Sequence, residues 1–162
     1  MEKKKDILIF IVDDDPMFLK VLENWLLKEI PGIKIKTFPT GEACLHAMDE
    51  NPDMVILDYF LDAEFPYAWN GIEVLKKINS LYPLLPVIIF SSQENIDTAM
   101  KSINEGAFEY VSKKEGGFSK IKDLVLDISE NVEIENSEKK MDIYKLLSII
   151  FVIILIFLLL LW

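Results

Sequence analysis

Met54-Val55-Ile56-Leu57-Asp58-Tyr59-Phe60 is the stretch that decides the fold. Four apolar residues, introduced by the turn signal Asn51-Pro52-Asp53, run straight into an acid. An apolar run this short and unbroken reads as a strand covered on both faces in a parallel sheet, since a half-exposed strand would alternate. It delivers Asp58 to the strand's carboxyl end. In open α/β sheets that edge is where ligands bind, whereas a carboxylate in mid-strand would be an uncompensated buried charge. Asp58 alone is equally an acid opening a solvated loop. Two other segments point at the same spot.

Upstream, Ile7 to Val12 is another short apolar run. The lysines before it give it a superficial likeness to a secretory leader, but it is too short and ends in Asp13-Asp14-Asp15, so it reads as a first strand. Pro16 suits the first turn of a helix and Asp15 its N-cap, which leaves Asp13 and Asp14 without a structural task. That helix carries Phe18, Leu19, Leu22, Trp25, Leu26 and Ile30 at spacings of three and four, then stops at Pro31-Gly32. Ile33 to Phe38 alternates and predicts a more exposed second strand, followed by a helix from Gly41 to Glu50 with Thr40 as N-cap.

Downstream of Asp58 the connection over 59–70 is long for an α/β unit. A helix over Gly71 to Leu81 then gives way at Pro83 and Pro86 to a strand, Val87 to Phe90, ending in Ser91-Ser92. A helix over Asn95 to Asn104 closes at Gly106, and a short strand from Phe108 to Val111 leads to Ser112, Lys113 and Lys114. The last helix of the domain sets Phe118, Ile121, Leu124, Val125 and Ile128 on one stripe. Five strands alternating with five helices predict a doubly wound, flavodoxin-like five-stranded parallel sheet of order 2-1-3-4-5 over residues 6–128.

Composition narrows the partners. The chain has 162 residues, and its 17 basic residues are all lysine, against 27 acids, for a net charge of −10. Phosphate-backbone binding needs a basic footprint, so nucleic acid is not expected; protein partners and a cation site are. The single Cys44 excludes an internal disulfide, fits a reducing compartment, and reads as a packing position in the helix around it. His46, alone of its kind, cannot make a histidine metal site. Residues 129–142 are polar and read as a charged linker. From Ile143 to Trp162 the sequence is apolar apart from Tyr144, Lys145 and Ser148. Twenty helical residues rise roughly 30 Å, a bilayer's hydrocarbon thickness, so 143–162 is expected to be a transmembrane helix. Lys139, Lys140 and Lys145 lie on its N-terminal side, which places the domain on the cytoplasmic face of the cell membrane in a single-pass, tail-anchored arrangement.

The chemistry-bearing residues gather at strand ends. In a sheet of order 2-1-3-4-5 the first and third strands are neighbours, which brings Asp13, Asp14 and Asp58 together. Three carboxylates so close demand a cation, and oxygen donors suit Mg²⁺. A carboxylate beside Mg²⁺ can attack a phosphoryl group and form an aspartyl phosphate. Lys113 after the fifth strand would neutralise one phosphoryl oxygen, and Ser91 after the fourth would donate a hydrogen bond to another.

With Ile11-Val12-Asp13-Asp14, Val55-Ile56-Leu57-Asp58, Ile89-Phe90-Ser91-Ser92 and Gly106-Ala107-Phe108-Glu109-Tyr110-Val111-Ser112-Lys113 in view, the chain from Asp6 to Ile128 resembles the response-regulator receiver domains of two-component signalling. The resemblance implies that Asp58 accepts phosphate from a histidine kinase or phosphotransfer protein. It implies that Asp13, Asp14, Asp58 and the backbone carbonyl of Phe60 hold Mg²⁺. It also implies that Ser91 and Tyr110 form a switch pair that remodels the face of the fourth helix, fifth strand and fifth helix for a protein effector. Such a domain is an acceptor, not a turnover enzyme. Two positions depart from the pattern: Lys114 stands where the family has a cis proline, which leaves that peptide's isomer open, and the loop after Asp58 is longer, with Asp62 where a proline is common.

Two rival readings remain at this level. Asp13 and Asp15 have the Asp-x-Asp spacing of a haloacid dehalogenase-type phosphohydrolase, with Asp13 as nucleophile and Asp15 as general acid. That class requires a further acidic cluster after the lysine strand, where only Asp123 and Asp127 follow in a helical stripe. A phosphorylation-silent interaction module would more naturally have lost one of the five site residues.

Overall fold

The computed structural model describes residues 7–61 and 68–160, except for the side chains of 133, 135–139, 152 and 154–160. The chain divides into two compact units, 1–128 and 129–162. In the first, β1 (Ile7–Val12), β2 (Ile33–Phe38), β3 (Met54–Leu57), β4 (Val87–Ser91) and β5 (Glu109–Ser112) form one parallel sheet of order β2-β1-β3-β4-β5. The intervening helices are α1 (Pro16–Glu29), α2 (Gly41–His46), α3 (Gly71–Leu81), α4 (Ile96–Asn104) and α5 (Gly117–Leu160). This is the doubly wound α/β architecture that the alternation of runs predicts.

Strand β3 is buried at every position, because β1 and β4 pair with its two edges and helices cover its two faces. On one face Phe10, Val12, Val55, Leu57, Val87 and Ile89 pack with Cys44 of α2 and with Ile72, Leu75 and Ile78 of α3. Cys44 is therefore a core residue, and its burial pushes the thiol pKa up to about 12. The alternate residues Ile9, Ile11, Ile56, Ile88 and Phe90 point the other way. They are buried, as are Leu19, Leu22 and Leu26 of α1 and Ile121, Val125 and Ile128 of α5. Strand β2, at the sheet's edge, is the least buried on its alternate positions, as its pattern predicts.

Local chemistry sets most boundaries. Asp15 caps α1, accepting from the backbone N–H groups of Met17 and Phe18, and Pro16 opens the helix. Asn70 and Glu73 close a reciprocal capping box on α3. The helix expected over Gly41 to Glu50 instead ends at His46 and continues as a 3-10 turn over Met48–Glu50. The chain has to reverse there into β3, and Asn51 supplies the left-handed conformation, with φ 54°. Strands β4 and β5 each extend one residue further than expected, so Ser91 and Ser112 pair as the last rung of the ladder. The Lys113–Lys114 peptide is trans, there being no cis bond among the described residues.

In the second unit the backbone over 129–160 is helical. The charged segment 129–142 has neither glycine nor proline and is rich in glutamate and lysine, so helical backbone outcompetes the coil its polarity suggested. Among the described residues no helix is long and apolar enough to cross a membrane. The transmembrane helix expected over 143–162 is therefore not supported: the described part is short and includes Tyr144, Lys145 and Ser148. The side chains of 152 and 154–160 and the whole of residues 161–162, with Asp62 of the long loop and Asp6, lie outside the described residues.

Candidate functional site

Each acid is fixed by the strand that precedes it. Asp13 follows β1 and donates its backbone N–H to the Phe38 carbonyl at 3.1 Å, while Asp58 follows β3 and donates to the Val12 carbonyl at 2.8 Å. These bonds extend the ladders by one residue past each strand and lock the two backbones side by side. Lys113, just after β5, donates its N–H to the Ser91 carbonyl at 2.7 Å. Four side chains expected to act together are thus carried by three strand ends.

Asp13, Asp14 and Asp58 each offer one carboxylate oxygen within a common span of 4.8 Å. All three are buried. The Lys113 ammonium donates to Asp13 Oδ2 at 2.6 Å and lies 3.1 Å from Asp58 Oδ1 as an ion pair. Asp58 Oδ1 is buried, and its partner among the described residues is the Lys113 ammonium, held as an ion pair outside good hydrogen-bond geometry. Burial pushes the Asp58 carboxyl up to about 6; the nearby Lys113 charge pulls it down and the Asp13 charge pushes it further up. Burial likewise raises Asp13 above the usual carboxylate range, against the Lys113 ammonium.

This donor set fits a hard divalent ion. It is made of oxygens alone, Asp13 and Asp58 hold more negative charge than the one ammonium between them neutralises, and Asp58 Oδ1 is buried without a hydrogen bond of good geometry. Phe60, two residues beyond Asp58, is partly exposed with its ring against Tyr59.

Ser91 and Tyr110 lie on neighbouring strands beside this cluster. Ser91 is fully buried and its Oγ accepts the Gln93 backbone N–H at 3.4 Å. The Tyr110 hydroxyl donates to the Gln93 carbonyl at 2.8 Å, so one residue of the β4–α4 loop is held by both. Burial pushes the Tyr110 phenol pKa upward, opposed by the Ser91 hydroxyl. Lys114, in the position that departs from the family pattern, donates to Glu94 of the same loop. Asp15 is exposed and its carboxylate caps α1, which leaves it poorly placed to act as a general acid.

Two contributors escape sequence reasoning. Gly71 opens α3 directly against the acid's backbone: a Cβ there would stand 2.1 Å from the Asp58 carbonyl oxygen and 2.8 Å from Tyr59 Cα. The Asn70-Gly71 cap is visible in sequence, but not what it touches. Phe18 places its ring centroid 4.3 Å from the Lys113 ammonium, and no local signal joins two residues so far apart in the chain.

Residues 9–125 match the family model described as response regulator receiver domain. The DNA-binding transcriptional regulator NtrC of Escherichia coli K12 is 32% identical over 107 residues, 65% of this chain and 21% of that protein. A putative response regulator, NtrX-like, of Rickettsia bellii is 33% identical over 106 residues, with the same coverage of each. The receiver domain of NtrX from Brucella abortus superposes with a TM-score of 0.66 at 26% identity, covering 75% of this chain and 98% of that one. The chain spans about a fifth of the length of the curated relatives it matches. A match over most of the chain, on a five-stranded sheet of the same order with its acids and lysine at the strand ends, makes this chain a member of the response regulator receiver domain family.

Proposed function

We propose that this chain is a stoichiometric phosphoryl acceptor in a two-component relay, with Asp58 as the acceptor and a phosphohistidine of a histidine kinase or phosphotransfer protein as the donor. The observation that carries the reading is the buried Asp58 oxygen without a hydrogen bond, set among Asp13, Asp14 and Lys113. An Asp58 oxygen attacks phosphorus, the P–N bond breaks, and its electron pair leaves on the donor imidazole, giving an acyl phosphate. Mg²⁺ held by Asp13, Asp14, Asp58 and the Phe60 carbonyl would supply the positive charge that lets carboxylate and phosphoryl oxygens approach. Lys113 turns from the carboxylates to a phosphoryl oxygen, and the Ser91 hydroxyl donates to another.

Output follows from the same movement. When Ser91 swings toward the phosphoryl group, Tyr110 gives up the Gln93 carbonyl and turns inward. The face of α4, β5 and α5, where Ile96, Met100 and Phe108 are exposed, then changes shape for a protein effector. The acid-rich, arginine-free composition favours such a partner over nucleic acid for this chain, although the relative from Escherichia coli is named as DNA-binding. We further propose that the apolar stretch from Ile143 to Trp162 tethers the domain to the cytoplasmic side of the cell membrane, supported by that stretch's twenty-residue length and by Lys139 and Lys140 ahead of it.

The test is to incubate the full-length chain with acetyl phosphate and Mg²⁺ and measure acid-stable, base-labile phosphate. Uptake near one equivalent, abolished in Asp58→Asn, is the expected result. Equal uptake by the variant removes the assignment, and steady release of phosphate from simple phosphomonoesters favours the phosphohydrolase reading instead.

A further inference from the structure

We infer that Phe18 is a positioning residue for Lys113, acting through the face of its ring; the inference rests on the phosphoacceptor reading of the site. The Lys113 ammonium is confined on three sides: Asp13 Oδ2 at 2.6 Å, Asp58 Oδ1 at 3.1 Å and the Phe18 centroid at 4.3 Å. An ammonium has three N–H bonds, and two carboxylates can satisfy only part of its surface. The remaining side of a mostly buried cation would face water or an alkyl wall, and here it meets the negative face of a π system. The lysine is thereby directed toward the acids and shielded from solvent.

The ring is itself anchored. The Phe18 backbone N–H is tied to the Asp15 cap of α1 at 3.1 Å, and its ring packs on Phe90 of β4 at 5.6 Å and edge-on to Phe118 of α5 at 5.8 Å. Phe118 in turn meets Phe90 and Trp25. Three elements of the fold therefore determine where the ring lies, and the ring limits where the ammonium can go. When a phosphoryl group arrives at Asp58, Lys113 has to leave Asp13 for a phosphoryl oxygen. A surface that attracts the cation without forming a hydrogen bond lets it slide along a fixed plane rather than escape to solvent.

The experiment uses the full-length chain with phenylalanine at position 18 replaced by mono-, di- and trifluorinated analogues, which weaken the ring's negative face while nearly preserving its size. Phe18→Leu and Phe18→Tyr complete the set. The initial rate of phosphoryl uptake from acetyl phosphate with Mg²⁺ is expected to fall stepwise along the fluorinated series. Phe18→Leu should lose roughly three- to ten-fold, and Phe18→Tyr should restore most of the rate. The independent readout is proton NMR of the unphosphorylated chain, in which the Lys113 ε-methylene protons should be shifted upfield by the ring current and lose that shift in Phe18→Leu. A flat rate across the series, or an ε-methylene signal unmoved by Phe18→Leu, overturns the positioning role. Failure of the unsubstituted chain to take up any phosphoryl group overturns the acceptor reading instead, and the NMR comparison still decides whether the ring holds the lysine.

Discussion

Asp58 is under two opposed demands, since burial favours its neutral acid while the proposed nucleophilic attack needs the anion. With its pKa pushed up to about 6 in the folded chain, above the 3.8 of a free aspartate, the native state binds more protons than the unfolded state between those values. The contribution of Asp58 to stability is then greatest below pH 4, falls as pH rises through the window to about 6, and is flat above it. Without divalent cations, urea titrations should show Asp58→Asn gaining on the wild type across that window by roughly 1–3 kcal/mol. A difference between the two proteins that does not change with pH would contradict the shift. Tyr110 allows a second test at this scale. Tyr110→Phe deletes the hydroxyl that donates to the Gln93 carbonyl, with an expected cost of roughly 0.5–1.5 kcal/mol and faster amide exchange in the β4–α4 loop. Unaltered exchange there would show that the loop is held by other contacts. The acids were legible in the sequence because each stands where an apolar run stops; Phe18 was not, because its partner is chosen by the fold.

At the level of elements, the connection from β3 to α3 is built on a close approach that only glycine permits. The Gly71 N–H donates to the Tyr59 carbonyl at 2.9 Å, and a Cβ would collide with the backbone of Asp58 itself. Gly71→Ala is therefore expected to destabilise the domain by roughly 2–4 kcal/mol and to slow phosphoryl uptake more than a distant substitution of equal cost. Equilibrium unfolding and the acetyl phosphate assay on the same sample decide it; a variant as stable and as reactive as the parent would mean the helix can recede. Strand order and the helical faces were readable from periodicity, because a doubly wound sheet leaves few ways to arrange five runs. The split of α2 was not, since Asn51-Pro52 marks a turn without saying how far back the helix must stop. The linker reading of 129–142 rests on polarity, which is silent on backbone conformation, while the local propensities there favour helix.

For the molecule as a whole, the proposed tether makes location part of function. Removing everything after Asp142 deletes the apolar run and leaves the 1–128 unit complete. The truncated protein is expected in the soluble fraction of cells and the full chain in the membrane fraction, read by fractionation and blotting. Retention of the truncated form with membranes would remove the anchor. If it becomes soluble and is phosphorylated as fully as the parent in cells, the tether does not raise the local concentration of the donor.

The carboxylate cluster has a last consequence, which concerns sequence in time. Asp13 and Asp58 together set two negative charges against the one ammonium of Lys113 that lies between them, which leaves a surplus when both are ionised. An anionic phosphoryl donor meets that surplus as a barrier, and a divalent ion cancels it. On the proposed reading the site would therefore impose an order of operations, with a divalent ion needed before the donor can approach. The divalent ion would then be the permissive input, and the proposed phosphoryl donor the variable one.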